Sequence, residues 1–123
     1  MMACVVDGSK RTGKGEFMGE RIQGACLCGK VAYEISAAEA MGGCHCTRCQ
    51  RWTGTGGAMV LIVAPSNFKV TQGKDLIKQY QEEGFANRYF CSNCGSSLYG
   101  EGEKLYVGAG TAKATDMKPA FHI

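Results

Sequence analysis

Seven of the eight cysteines in this 123-residue chain fall into three short clusters, and no other feature restricts its folding so tightly. They are Cys26-Leu-Cys28, Cys44-His-Cys46-Thr-Arg-Cys49 and Cys91-Ser-Asn-Cys94, while Cys4 stands apart in the leading segment and reads as a passive thiol. Met1 to Gly24 lacks the apolar stretch of a secretory signal, so a cytoplasmic protein is expected. The longest apolar run, Ala58 to Ala64, is far short of the ~20 residues that cross a bilayer, and no membrane span is expected. Disulfides rarely persist in a reducing compartment, where clustered cysteines more often hold metal or do redox chemistry.

Spacing divides the sulfurs unevenly. Structural zinc takes four thiolates at about 2.3 Å, usually from two chelating turns far apart in sequence. Cys26-Leu-Cys28-Gly29 and Cys91-Ser-Asn-Cys94-Gly95 both end in glycine, which lets the chain turn back and aim N–H groups at the sulfurs. Cys26, Cys28, Cys91 and Cys94 are therefore paired as one metal site, a staple worth on the order of 10 kcal/mol. Cys44, Cys46 and Cys49 are one ligand short of a tetrahedron, and an open position marks a catalytic zinc rather than a structural one. His45 is the available fourth ligand, although in an extended C-x-C the middle side chain points away from its neighbours. Three thiolates leave zinc a poor Lewis acid but a good seat for a soft incoming thiol, so thiolate delivery is favoured over hydrolysis. The competing fate of such a triple is oxidation to a disulfide without metal.

The rest of the chain reads as short strands. Lys30 to Ser36 alternates Val31, Tyr33 and Ile35 with polar or small residues, the pattern of a half-buried strand. Ala58 to Val63 reads as a fully buried strand ended by Pro65. Phe68 to Thr71 and Leu76 to Gln81 are strands around the Gln72-Gly73-Lys74-Asp75 turn, and Asn87 to Phe90 leads into the last cysteine pair. Ser97 to Tyr99 and Lys104 to Val107 flank Gly100-Glu-Gly-Glu103 as a hairpin. The one expected helix is short, around Thr47 to Thr53. Eighteen glycines, about twice the ~7% background, fit this turn-rich, mostly antiparallel β reading. Tyr80, Tyr89, Phe90, Tyr99 and Tyr106 are taken as core or sheet aromatics, and His122 as capping the sheet end. Residues 1–20 read as a flexible leader and 21–123 as the domain.

The motifs Gly24-Ala-Cys26-Leu-Cys28-Gly29 with Val31 and Tyr33, Cys44-His-Cys46-Thr-Arg-Cys49-Gln-Arg-Trp-Thr-Gly54, and Arg88-Tyr-Phe-Cys91-Ser-Asn-Cys94-Gly95-Ser96 resemble one family. It comprises the glutathione-dependent formaldehyde-activating enzymes and the related centromere protein V domain. The resemblance runs from about Gly24 to the end. It implies a mainly β, β-tent fold of small antiparallel sheets carrying zinc-binding turns at one edge. It also implies a structural zinc on Cys26, Cys28, Cys91 and Cys94 and a second, catalytic zinc on Cys44, Cys46 and Cys49. The family's reaction joins glutathione and formaldehyde into S-hydroxymethylglutathione, which is carbon–sulfur lyase chemistry, so a small thiol and an aldehyde are the expected partners. Similar proteins continue past the Pro119-Ala-Phe-His122-Ile123 element with another strand, and its lack is expected to leave a sheet edge open.

Arg48, Arg51 and Trp52 follow the triple directly and suit the carboxylates and flank of a glutathione-like tripeptide; the plainer reading is a solvated basic turn with a packed indole. Two rival functions remain. One is a non-catalytic zinc module that binds protein or nucleic acid, resting on Lys10, Arg11 and Lys14 with Arg48 and Arg51. The net charge of +3, spread evenly, argues against a nucleic-acid face. The other is methionine sulfoxide reduction, which requires Cys91 as a free nucleophile.

Overall fold

The computed structural model describes residues 21–81, 83–112 and 121–122, the last two by backbone alone. The leader with Cys4, Lys10, Arg11 and Lys14 lies outside the described residues, as does the side chain of His122.

Ten strands and one α-helix are described: β1 (Ile22–Ala25), β2 (Ala32–Ile35), β3 (Ala40–Cys44), α1 (Thr47–Thr53), β4 (Ala58–Val63), β5 (Phe68–Gln72), β6 (Ile77–Gln81), β7 (Asn87–Cys91), β8 (Ser97–Glu101), β9 (Leu105–Gly108) and β10 (Phe121–His122). They form a three-stranded sheet, β1-β2-β5, and a seven-stranded sheet, β10-β3-β4-β9-β8-β7-β6. Every pairing is antiparallel except that of the edge strand β10, which runs parallel to β3 with His122 opposite Gly43. This is the mainly β architecture that the short strands and glycine turns imply.

The inward face of β2 is made by alternation: Val31, Tyr33 and Ile35 are buried and pack with Leu61, Val63, Leu98 and Val107 of the large sheet. Tyr33, Phe68 and Tyr99 continue this core as an aromatic row, with ring centroids 5.1 and 4.8 Å apart. Tyr89 stacks on Tyr99 at 4.5 Å.

Three details depart from the pattern in the sequence. In β4 only Ala58, Leu61 and Val63 are buried, because the sheet is one layer thick there and its second face is only partly covered. The strands on either side of Gly73 form, but β5 joins β2 while β6 joins β7, so this turn carries the chain from one sheet to the other. Gly73 has φ +76°, and a Cβ there would sit 2.1 Å from the Lys30 carbonyl oxygen, so only glycine fits this crossing. Tyr80, finally, is a sheet aromatic as expected, but it stands exposed on the edge strand β6 and takes no part in the core.

Candidate metal centre

The first cysteine group is built by two turns of the same design. Between β1 and β2, Gly29 at φ +81° donates its N–H to the Cys26 carbonyl at 3.1 Å, and Val31 donates its N–H to the Cys26 Sγ at 3.3 Å. Between β7 and β8, Gly95 at φ +81° donates to the Cys91 carbonyl at 2.7 Å. Ser96 locks the turns together: its Oγ accepts from the Leu27 N–H at 2.9 Å and lies 3.2 Å from the Cys94 Sγ. Ser92 fastens the second turn to the residue that precedes β6 by donating to the Leu76 carbonyl at 2.7 Å.

The Sγ atoms of Cys26, Cys28, Cys91 and Cys94 all lie within 4.8 Å of one another. Tetrahedral sulfurs on bonds of about 2.3 Å stand about 3.8 Å apart. The Cys26–Cys28 and Cys28–Cys91 separations, 3.5 and 4.0 Å, bracket that edge. Burial pushes the Cys91 thiol up, whereas hydrogen bonds from Ser96 hold Cys94 down at about 5. Burial also opposes ionisation of Cys26, but the Val31 N–H and the thiols of Cys28 and Cys91 outweigh it. Four sulfurs at these separations fit zinc, which holds such thiols as thiolates.

The second group is partly open to solvent. Cys44 ends β3, and Cys46 caps α1, its Sγ accepting from the Cys49 N–H at 3.4 Å. The Sγ atoms of Cys44, Cys46 and Cys49 fall within 4.8 Å of one another, with 3.5 Å between Cys44 and Cys46. Hydrogen bonds, first from the Cys49 N–H and then from the Cys44 thiol, lower Cys46 to about 7, while burial and the adjacent thiols raise Cys49 to about 12. This donor set also fits a soft metal ion, with three ligands. His45 is not part of the cluster, and its Nδ1 lies 3.2 Å from the Gly56 carbonyl. All seven described cysteines are free thiols.

The helix that Cys46 caps and Cys49 belongs to, α1, presents Thr47, Arg48, Arg51 and Trp52 to a cavity of about 370 Å³ that is completed by Tyr80 and Arg88. The Arg88 guanidinium lies over the Trp52 ring at 4.8 Å, and that of Arg48 over the Phe85 ring at 3.4 Å. Ser97 holds the helix end by donating to the Trp52 carbonyl at 3.3 Å. Arg48, Arg51 and Trp52 are thus brought together as their helical spacing implies. Tyr80 and Arg88 were missed because they come from β6 and β7, and the one local hint was the Arg88-Tyr-Phe-Cys91 motif. Cys91 has no exposed surface and sits among the four sulfurs, which leaves it out of reach of a sulfoxide substrate.

A mainly β domain with two cysteine clusters able to hold metal is the class these features define. The profile described as "Glutathione-dependent formaldehyde-activating enzyme" matches residues 21–123, and the chain belongs to that family. A Penicillium rubens protein named "Putative glutathione-dependent formaldehyde-activating enzyme" is 26% identical over 101 residues, covering 81% of this chain and 53% of its own length. An "Uncharacterized lyase" of Schizosaccharomyces pombe is 30% identical over 78 residues, covering 63% of this chain and 55% of its own. The chain therefore spans about half the length of these curated relatives. A crystal structure of a Rhodobacter sphaeroides protein matches with a TM-score of 0.65 at 23% identity, over 82% of this chain and 99% of that one, and shares its fold. Among the described residues, no helix is long and apolar enough to cross a membrane.

Proposed function

We propose that the protein is a zinc-dependent carbon–sulfur lyase that joins a small thiol of the glutathione type to an aldehyde, or cleaves the adduct so formed. The observation that carries this reading is the gathering of Cys44, Cys46 and Cys49 within 4.8 Å, partly exposed, at the start of the helix whose Arg48 and Arg51 line a pocket with Arg88. Zinc on these three sulfurs, when bound, supplies a free coordination position where a thiol stays deprotonated and nucleophilic.

The remaining work falls to side chains of this chain. Arg48, Arg51 and Arg88 offer forked donors to the carboxylates of a tripeptide thiol, and Trp52 gives it a flat wall. Anchoring the tripeptide at its charged ends would fix it on the helix that carries Cys46 as cap and Cys49, which converts an encounter between two solutes into reaction of a held pair. In the joining direction a sulfur–carbon bond forms, the carbonyl π pair moves onto oxygen, and the proton lost by the thiol ends on that oxygen. Cleavage is the reverse, and nothing is oxidised or reduced. Cys26, Cys28, Cys91 and Cys94 would hold a second zinc in a structural role. Residues 21–123 would be the working unit, and the cytoplasm its setting, since reduced thiols survive there.

Metal analysis and turnover test this together. The purified chain is expected to carry about two zinc, falling to about one in Cys46→Ala. Glutathione-dependent loss of formaldehyde, followed by proton NMR with the uncatalysed addition subtracted, is expected in the wild type and absent in that variant. Equal metal content and equal rates in the two proteins would overturn the assignment.

A further inference from the structure

Trp52 borders a second cleft, of about 560 Å³, which the chemistry above does not use. Its placement follows from strand register. Met41 of β3 is buried in the core, so Cys44, three residues on, faces the opposite side of the sheet. Residues directly opposite on paired strands share a face, so Ala58, the partner of Cys44, shares the face of that sulfur, and Val60 follows it there. Val60 is flanked in register by Gly42 and Gly108, neither of which has a side chain, and this bare patch of sheet opens the cleft. Ala58, Val60, Gly108 and Gly110 line it with the Thr55 loop and Trp52, and among the described residues no charged side chain contributes to its lining.

Trp52 thus lines two spaces: a cationic pocket, and a larger cleft on the same sheet face as Cys44 whose described lining residues carry no charge. An anionic tripeptide accounts for the first only. Formaldehyde has two heavy atoms and takes about 60 Å³, at about 30 Å³ per water-sized group, which leaves most of the cleft empty. Among the described residues that line the cleft, a carboxylate would find no cationic partner.

We propose that the cleft receives the substituent of the carbonyl partner, so that the adduct handled here is that of an uncharged aldehyde of several carbons. The proposal rests on the thiol-adduct reading and adds the class of aldehyde.

Stable thioethers test it without turnover. Trp52 is the single tryptophan of the chain, so its fluorescence reports occupancy directly. S-methyl-, S-hexyl- and S-carboxymethylglutathione are titrated into the purified protein. S-hexylglutathione is expected to bind at least about tenfold tighter than the S-methyl compound, since several methylenes leave water, and S-carboxymethylglutathione no tighter than S-methyl. Val60→Phe and Gly110→Phe each fill the cleft, and in whichever keeps the wild-type circular dichroism the hexyl advantage is expected to fall below about threefold. Equal binding of the methyl and hexyl compounds to the wild type, a preference for the carboxymethyl compound, or an advantage that survives in the folded variants would overturn the proposal while leaving the thiol reading in place. Binding of none of the three would overturn both.

Discussion

Cys94→Ala and Cys46→Ala each delete one sulfur from one cluster, yet the structure requires opposite consequences. Cys94 belongs to a set in which Cys26 and Cys91 are buried to 6% and 0% exposure, and which joins the β1–β2 turn of one sheet to the β7–β8 turn of the other. A four-thiolate zinc contributes on the order of 10 kcal/mol, which rivals the whole stability of a small domain. Loss of even half, about 5 kcal/mol, against an unfolding entropy of about 2.1 cal/mol/K per residue over roughly 100 residues, lowers the midpoint by about 24 °C. Cys46 lies instead at the start of α1, a helix with no buried residue, where its Sγ caps a single N–H. Deleting a cap costs about 1 kcal/mol, or roughly 5 °C, and a metal lost with Cys46 closes only the six residues from Cys44 to Cys49, so its release frees far less chain than release of the clamp between the sheets. Thermal unfolding followed by circular dichroism, with zinc counted on the same samples, makes the comparison. Equal midpoints in the two variants would refute the division into a structural and an open site.

Three further outcomes are expected. Gly24→Ala places a Cβ 2.3 Å from Tyr33 Cζ and 2.5 Å from the Thr111 carbonyl oxygen, and overpacking with loss of the 2.7 Å hydrogen bond between the Tyr33 and Thr111 hydroxyls should cost about 3 kcal/mol in urea unfolding. Arg88→Ala removes a guanidinium from the pocket that also holds Arg48 and Arg51, and should weaken glutathione binding about tenfold by fluorescence titration while metal content stays constant. Stability should fall at alkaline pH: burial raises Tyr33 from 10.0 to about 12, so between those values the unfolded chain has lost a proton that the folded chain keeps. The contribution, up to about 3 kcal/mol, is whole below pH 10 and gone above pH 12, and a Tyr33→Phe variant should show a flatter profile of urea midpoint against pH.

The parts of this architecture that local chemistry writes were legible in the sequence. Cys46 as cap and Gly54 in a left-handed conformation bound α1 at Thr47–Thr53, and alternation marks β2. Strands β1 and β3 carry no such mark. Gly24 sits in β1 because the Tyr33 ring occupies the space a side chain would need, and Gly42 and Gly43 sit in β3 where β10 and β4 pair on either side. Tertiary packing overrides poor strand propensity at both places. Arg88 and Tyr80 reach the pocket only through the pairing of β6 with β7, which no local spacing announces.

The two cysteine sites are also mechanically linked. The turn that carries Cys91 and Cys94 runs directly into β8, and its Gly95 and Ser96, with Ser97, line the larger cleft. Ser97 holds the Trp52 carbonyl, so the same turn fixes the residue that lines both spaces. A metal on the four-sulfur set would therefore order the cleft wall as well as clamp the sheets. The dependence runs one way, because nothing in the Cys91–Cys94 turn leans on the triple for its hydrogen bonds: Ser96 is tied to Leu27, and Ser92 to Leu76. Cys94→Ala should accordingly abolish binding of every thioether even at temperatures where some fold persists. Cys46→Ala, which leaves that turn intact, should lose turnover yet retain the hexyl preference, since a thioether makes no demand on the metal.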